Sequence, residues 1–419
     1  MRSSAEPLKT PGLKGKNDPL FVGIPIMRLP DEIFLVCFEE IINLWADSRG
    51  DITSTLLPLG SCTHPSIVLS HVSRHWRHLT LNTPSLWTEI CIHVHNMACK
   101  RDSAALSIVF ADVIHRSKDM QIRVELKPAR CCRHTSGMIS LTRSLPVSRH
   151  QERNSFGHAC EPALNALLPS LHRIRSLAAL NSSITFSAML SRIFVTAAMT
   201  PESSFSSLIE LTVANHDSPN TQHNGQTLRP IPSRLFLSLL ASAPRLKSLS
   251  LVGNIVDFAR PNTPLLTLPS LKYLLISKPV STYRTPLNFL STICAPALHH
   301  LELRESTLLW TKDVIDALFA DQSPNFLSNS IASLPTSKFP NVEDLTFHRV
   351  SFQGSERVRT FVQAFPRVKR LVLDAPTLEE VVPAFALESR LQDASSSDVT
   401  SGVMEGWREL LRTSRLASK

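Results

Sequence analysis

The sequence predicts a mixed α/β chain, with a small helical module at its front and a curved array of parallel strands backed by helices behind it. Three observations carry that expectation. Apolar residues between positions 31 and 87 recur at helical spacings and stop at turn residues. A pattern of proline, apolar residue and Leu-x-Leu returns five times between Pro244 and Leu373. Finally, 419 residues exceed the ~250–300 at which one hydrophobic core stops growing, which leaves two domains or an extended repeat.

Met1 to Pro19 alternates Ser, Pro, Lys and Gly without an apolar core, which excludes a secretory signal, and residues 1–25 are expected to be a disordered start. A helix begins after Leu29-Pro30: proline suits the first turn, and Asp31 and Glu32 favour its positive end. Ile33, Cys37, Ile41 and Trp45 fall four apart, with Phe34, Phe38 and Ile42 beside them, as one broad apolar stripe. A Ser-, Thr-, Gly- and Pro-rich break runs from 47 to 65. A second helix is expected through Leu69, Val72, Trp76 and Leu79, stopped by Asn82-Thr83-Pro84 before a short apolar turn at Leu86-Trp87. Two short helices cannot bury this many large side chains against each other. Either the hairpin docks on the rest of the chain, or part of it is an interface.

The order of residues is more specific than the pattern. Leu29–Phe34, then Val72-Ser73-Arg74-His75-Trp76-Arg77, then Leu81-Asn82-Thr83-Pro84-Ser85-Leu86-Trp87 resembles the F-box, in the divergent form abundant in mushroom-forming fungi. The stretch between Pro30 and Trp76 is longer than a compact F-box has. The resemblance implies a three-helix module over 26–88 that packs against the adaptor subunit of a cullin–RING ubiquitin ligase. On matching positions it implies adaptor contacts from Leu29, Pro30, Ile33, Phe34 and Phe38, with Val72 and Trp76 on the second helix.

Behind this module the repeat stands at Pro244, Pro269, Pro296, Pro340 and Pro366. Its apolar cores are Leu246/Leu249/Leu251, Leu271/Leu274/Ile276, Leu298/Leu301/Leu303, Val342/Leu345/Phe347 and Val368/Leu371/Leu373. Leu208/Leu211/Val213 and Ile174/Leu177/Ala179 repeat it without the proline. The first apolar positions are 34, 38, 25, 27, 44 and 26 residues apart. Leu-x-Leu sets two side chains on one face of a strand, and the apolar residue before it enters the same core from the turn. Proline is expected to end the preceding helix. Helices are predicted at 235–240, 287–293, 314–319 and 358–365. Ile90/Ile92/Val94 and Ile122/Val124/Leu126 alternate as strands around a helix over 102–116, capped by Asp102.

The array is similar to a leucine-rich-repeat solenoid covering 89–390, with an inserted loop at about 128–160 and a linker and C-terminal helix over 391–419. That resemblance implies an inner surface made by the strand residues opposite the core. A protein target would then be held by Tyr273, Leu275, His300, Glu302, Arg304, Asp344, His348 and Arg370, with polar neighbours on the strands before them.

Composition narrows the alternatives. Twelve glycines in 419 residues is about 3%, against a usual ~7%. None stands in a dinucleotide fingerprint, a phosphate loop or a nucleophile elbow, each of which needs a glycine-permitted turn. No cofactor and no catalytic role is expected. No apolar run reaches the ~18 residues of a membrane span. The net charge of +9 is densest over Arg130–Arg153, a stretch without period that reads as a solvated loop more than a nucleic-acid contact. Eight cysteines without regular spacing read as reduced thiols of an intracellular protein, cytoplasmic or nuclear. Neither Cys91, His93, His95 and Cys99 nor His71, His75 and His78 assembles two ligand pairs from two segments, so they read as strand and helix faces. The expected function is substrate recognition for a cullin–RING ligase, with adaptor and cullin as partners. The alternative is an interaction scaffold with an F-box-like hairpin.

Overall fold

The computed structural model describes residues 29–47, 64–94, 103–128, 161–181, 184–199, 205–215, 231–253, 256–257, 265–277, 285–304, 318, 337–348 and 364–373. The expected disordered start, the inserted loop with its arginines and the C-terminal helix lie outside the described residues. So do Asp102 and the helices expected at 314–319 and 358–365, apart from buried Leu318, Ala364 and Phe365.

Among the described residues the first three helices are α1 (Asp31–Asp47), α2 (Pro65–Ser70) and α3 (Arg74–Asn82). The single second helix expected from Leu69 to Leu79 is corrected. A turn at 71–73 divides it, because Ser73 takes an extended conformation and its hydroxyl accepts the Trp76 N–H, capping α3 anew. His64 does the same for α2: its Nδ1 accepts the Ser66 N–H while the other ring nitrogen bonds the Glu89 carbonyl at 2.8 Å. The Leu86-Trp87 turn is a 3-10 turn over Pro84–Trp87 with Leu86 and Trp87 buried. There the Trp87 indole N–H donates to the Thr80 carbonyl at 2.8 Å, His64 stacks on the ring, and the Arg116 guanidinium lies 5.3 Å from the ring centre.

The rest is built on strands that pair in chain order. β1 (Glu89–Val94), β2 (Ile122–Pro128), β3 (Ile174–Asn181), β4 (Glu210–Asn215), β6 (Ser248–Val252), β9 (Tyr273–Ser277), β11 (His300–Arg304), β12 (Asp344–His348) and β13 (Arg370–Leu373) form one nine-stranded sheet. Every pairing in it is parallel. The crossovers carry α4 (Ser103–Arg116), α5 (Glu161–Leu167), α6 (Ile184–Met199), α7 (Ser233–Ala241) and α8 (Thr285–Thr292). They also carry two small parallel pairs, β5 (Ile231–Pro232) with β7 (Val256–Asp257) and β8 (Leu266–Thr267) with β10 (Ile293–Cys294).

The Leu-x-Leu positions stand in register. Leu177, Leu211, Leu249, Leu274, Leu301, Leu345 and Leu371 form one buried row across seven strands. Ala179, Val213, Leu251, Ile276, Leu303, Phe347 and Leu373 form the next. Phe194, Phe236 and Phe289 from α6, α7 and α8 continue this core, their rings 6.0–6.2 Å apart. One contiguous apolar cluster runs from Phe34 to Leu371, so the helical module and the sheet share a core.

The role expected for the repeated proline is corrected. Leu246, Leu271, Leu298 and Val342 each donate their N–H three residues back, to Ala243, Leu268, Ala295 and Phe339. Proline is the second residue of a β-turn, where its fixed φ suits the chain and its missing N–H costs nothing. Leu208 makes the same turn to Phe205 without proline. After the turn one carbonyl accepts two N–H groups of the next strand: Ile209 from Lys247 and Ser248, Lys247 from Lys272 and Tyr273, Lys272 from His299 and His300, His299 from Glu343 and Asp344.

The expected curvature is also corrected. The sheet is open, with β1 and β13 at its edges, and is not curled. An array of this kind fans when helices about 8–10 Å apart back strands about 4.8 Å apart. Here the pairs β5/β7 and β8/β10 put strand-like spacing into the crossover layer as well.

Candidate interaction surfaces

The first surface is on α1 and α2. The apolar residues of α1 divide between two sides. Phe34, Phe38 and Ile42 are buried, at 2%, 1% and 3% exposure, with Trp76 edge-on to both phenylalanines at 5.6 and 4.8 Å. The expectation that Phe34 and Phe38 face an adaptor is therefore corrected: their rings fill the chain's own core, and the second helix segment covers them. Leu29 and Trp76 are partly buried against that core, and the Trp76 indole nitrogen is buried with no hydrogen-bond partner among the described residues. Pro30, Ile33 and Val72 are exposed.

Four further large apolar residues stand out to solvent with Ile33 and Val72, namely Val36, Ile41 and Leu44 on α1 and Val68 on α2. Val36 is 64% exposed and Val72 58%. The signal for them is the apolar content of α1, which covers too much of the helix circumference for one buried face. Asp31 pairs with His75 at 3.0 Å and ties the start of α1 to α3.

The second surface is the open face of the sheet over β9–β13. Alternation puts Tyr273, His300, Asp344 and Arg370 in one cross-strand row, Leu275, Glu302, Thr346 and Val372 in the next, and Ser277, Arg304 and His348 in a third. Register then joins six of them. The Tyr273 ring stacks on His300 at 4.8 Å, and its hydroxyl donates to Glu302 Oε2 at 2.6 Å. Arg304 Nε donates to Glu302 Oε1 at 2.5 Å. His300 stands between two carboxylates, 3.7 Å from Glu302 and 3.8 Å from Asp344, and Arg370 grips Asp344 through both Nε and Nη2 at 2.9 Å.

Burial alone would raise the Glu302 carboxyl, but hydrogen bonds from Tyr273 and Arg304, with the Arg304 charge, hold it below the ordinary carboxylate range. Burial, and then the bond to Glu302 and its charge, push the Tyr273 phenol well above its ordinary value. The result is a neutral phenol bonded to an ionised carboxylate.

Three of the expected target contacts change character here. Glu302 is buried, so its carboxylate holds neighbours in place and is not presented to a partner. Leu275 is half-buried beside it, and His348 lies next to Arg304 in register but makes no hydrogen bond or ion pair among the described residues. Arg304, Asp344, Arg370, His300 and Tyr273 remain as the accessible groups. Among the described residues no three His, Cys, Asp or Glu side chains are grouped to hold a metal ion, and no helix is long and apolar enough to cross a membrane. Comparison of the sequence with known protein families and with curated proteins found no match.

Proposed function

We propose that the chain is the substrate-recognition subunit of a cullin–RING ubiquitin ligase, an F-box joined to a leucine-rich-repeat-like array. The helical module docks on the adaptor, and the open face of the sheet holds a protein target. The observation that carries this reading is the set of six large apolar side chains left exposed on α1, on α2 and in the turn after it, while the same helices bury their other side in the core. Exposed apolar residues gathered on one element mark a protein interface. The adaptor contacts are then Pro30, Ile33 and Val72, joined by Val36, Ile41, Leu44 and Val68, with Phe34, Phe38 and Trp76 holding the helices beneath them. On the open face, Arg304 and Arg370 and the stacked Tyr273–His300 pair give the target a surface of both charges, pre-set by Glu302 and Asp344. Such a surface suits protein recognition more than phosphate tracking.

Affinity purification of the full chain tests this. Adaptor and cullin are expected with the native protein and are expected to be lost with Ile33→Asp/Val72→Asp. Both positions are exposed, so unfolding should shift by no more than about 0.5 kcal/mol per site. Failure to recover the adaptor with the native chain, or equal recovery with the variant, overturns the reading. The burial of Phe34 and Phe38 favours one second reading, an interaction scaffold whose F-box-like helices serve a different partner.

A further inference from the structure

The starts of the strands carry a feature separate from both surfaces above. Ile209, Lys247, Lys272, His299, Glu343 and Lys369 each precede a sheet strand, and Arg175, second residue of β3, stands in line with them. Each is joined to the next by one N–H to carbonyl bond: Ile209 to Arg175, Lys247 to Ile209, Lys272 to Lys247, His299 to Lys272, Glu343 to His299 and Lys369 to Glu343. The row therefore crosses seven strands along one rim of the sheet. Arg175, Lys247, Lys272, His299 and Lys369 are exposed. So is Arg245, in the turn beside Lys247.

Only one end of this row is neutralised. Lys369 pairs with Glu343 at 2.8 Å and holds that carboxyl below its ordinary range. Among the described residues Arg175, Arg245, Lys247 and Lys272 have no carboxylate within ion-pair distance. Lys247 and Lys272 sit on directly adjacent strands, about 4.8 Å apart at the backbone. Like charges at that spacing oppose sheet stability. An anion laid over these cations would relieve that repulsion.

We propose that this rim is a docking strip for an acidic polypeptide segment of a partner protein, bound across the strands over Arg175, Arg245, Lys247 and Lys272. The chemistry favours a polypeptide over a nucleic acid. No Phe, Tyr or Trp stands in the row to stack a base. The carboxylate of Glu210, one residue further along its strand, would repel a continuous phosphate chain, whereas acidic side chains can be spaced to avoid it. The strip does not depend on the ligase reading, since among the described residues the side chains of Arg175, Arg245, Lys247 and Lys272 make no hydrogen bond or ion pair with the α1–α2 surface or the Tyr273–Glu302 network.

Fluorescence anisotropy of a labelled oligoglutamate peptide with the full chain tests the strip, with a uridine homopolymer RNA as the competing probe. The native chain is expected to bind the peptide, more tightly at low salt than at high. Lys247→Gln/Lys272→Gln is expected to weaken it about tenfold at about 50 mM salt, while Lys247→Arg/Lys272→Arg keeps the affinity. Arg74→Gln/Lys118→Gln, an equal charge change at exposed positions elsewhere, should leave it unaltered. Unchanged affinity in the Lys→Gln pair, an equal loss in the control pair, or tighter binding of the RNA than of the peptide overturns the proposal.

Discussion

Replacing Glu302 by Gln removes one charge from the middle of the open face and leaves the shape intact. In the native chain the carboxylate accepts the Tyr273 hydroxyl at 2.6 Å and Arg304 Nε at 2.5 Å, from a buried position. Hydrogen bonds to a charged group contribute about 1.5–3 kcal/mol, and a neutral one about 1. The amide oxygen of Gln can keep Tyr273 only as a neutral acceptor, and its NH2 then opposes the Arg304 N–H, donor to donor. Arg304 is half exposed, so the loss on that side is at most about 1 kcal/mol. The expected destabilisation at neutral pH is about 1–2 kcal/mol, measured by urea unfolding. The sign with pH follows from the carboxyl being held below 4.5 when folded. Unfolding at low pH takes up a proton there, so the stabilisation is complete above 4.5 and lost as pH falls through the folded value. The difference between native and variant should therefore shrink on acidification. Equal stability at neutral pH, or a difference that grows as pH falls, refutes the reasoning.

The Tyr273 phenol is raised above its ordinary 10.0, so the folded chain keeps its proton where the unfolded chain ionises, and stability should fall as pH rises past 10.0. The chain has two tyrosines, and ultraviolet titration of Tyr283→Phe reads Tyr273 alone; ionisation at the ordinary value would count against the network. Leu301→Ala empties a site with no exposure between Leu274 and Leu345 and should cost about 3–5 kcal/mol in chemical denaturation. Ser66→Ala removes a buried hydroxyl that donates to the Leu86 carbonyl at 2.6 Å, and should cost about 1–3 kcal/mol by the same measurement. Pro296→Ala should cost less, about 0.4–1 kcal/mol, because the turn survives and only the unfolded chain gains freedom.

The sheet was the most legible part of the fold. Leu-x-x-Leu-x-Leu aligned by eye gives the same rows that the strand register gives, because each repeat buries the same three positions. The two-residue strands at Ile231–Pro232, Val256–Asp257, Leu266–Thr267 and Ile293–Cys294 were not legible, since two residues carry no period. Helix α6 was missed for the opposite reason: Ile184–Met199 is so apolar that no polar side marks its periodicity. On α1 the stripe is visible, but periodicity does not say which flank meets the core; the resemblance implies a partner contact for Phe34 and Phe38, and the structure buries them. On the open face, alternation named the residues that share a side. Which of them touch depends on inter-strand register, and that separates Tyr273, His300 and Glu302 from His348.

The carbonyl that receives two N–H groups at the start of β6, β9, β11, β12 and β13 has a consequence for how the chain could lengthen. It fixes the offset between neighbouring strands at one point, before any side chain of the strand is placed. The excursion between Leu298 and Val342 is 44 residues and that between Leu246 and Leu271 only 25, yet both deliver the next strand at the same offset. Segments can be gained or shed between strands while the open face keeps its pattern, much as a comb keeps its teeth when the handle is reshaped.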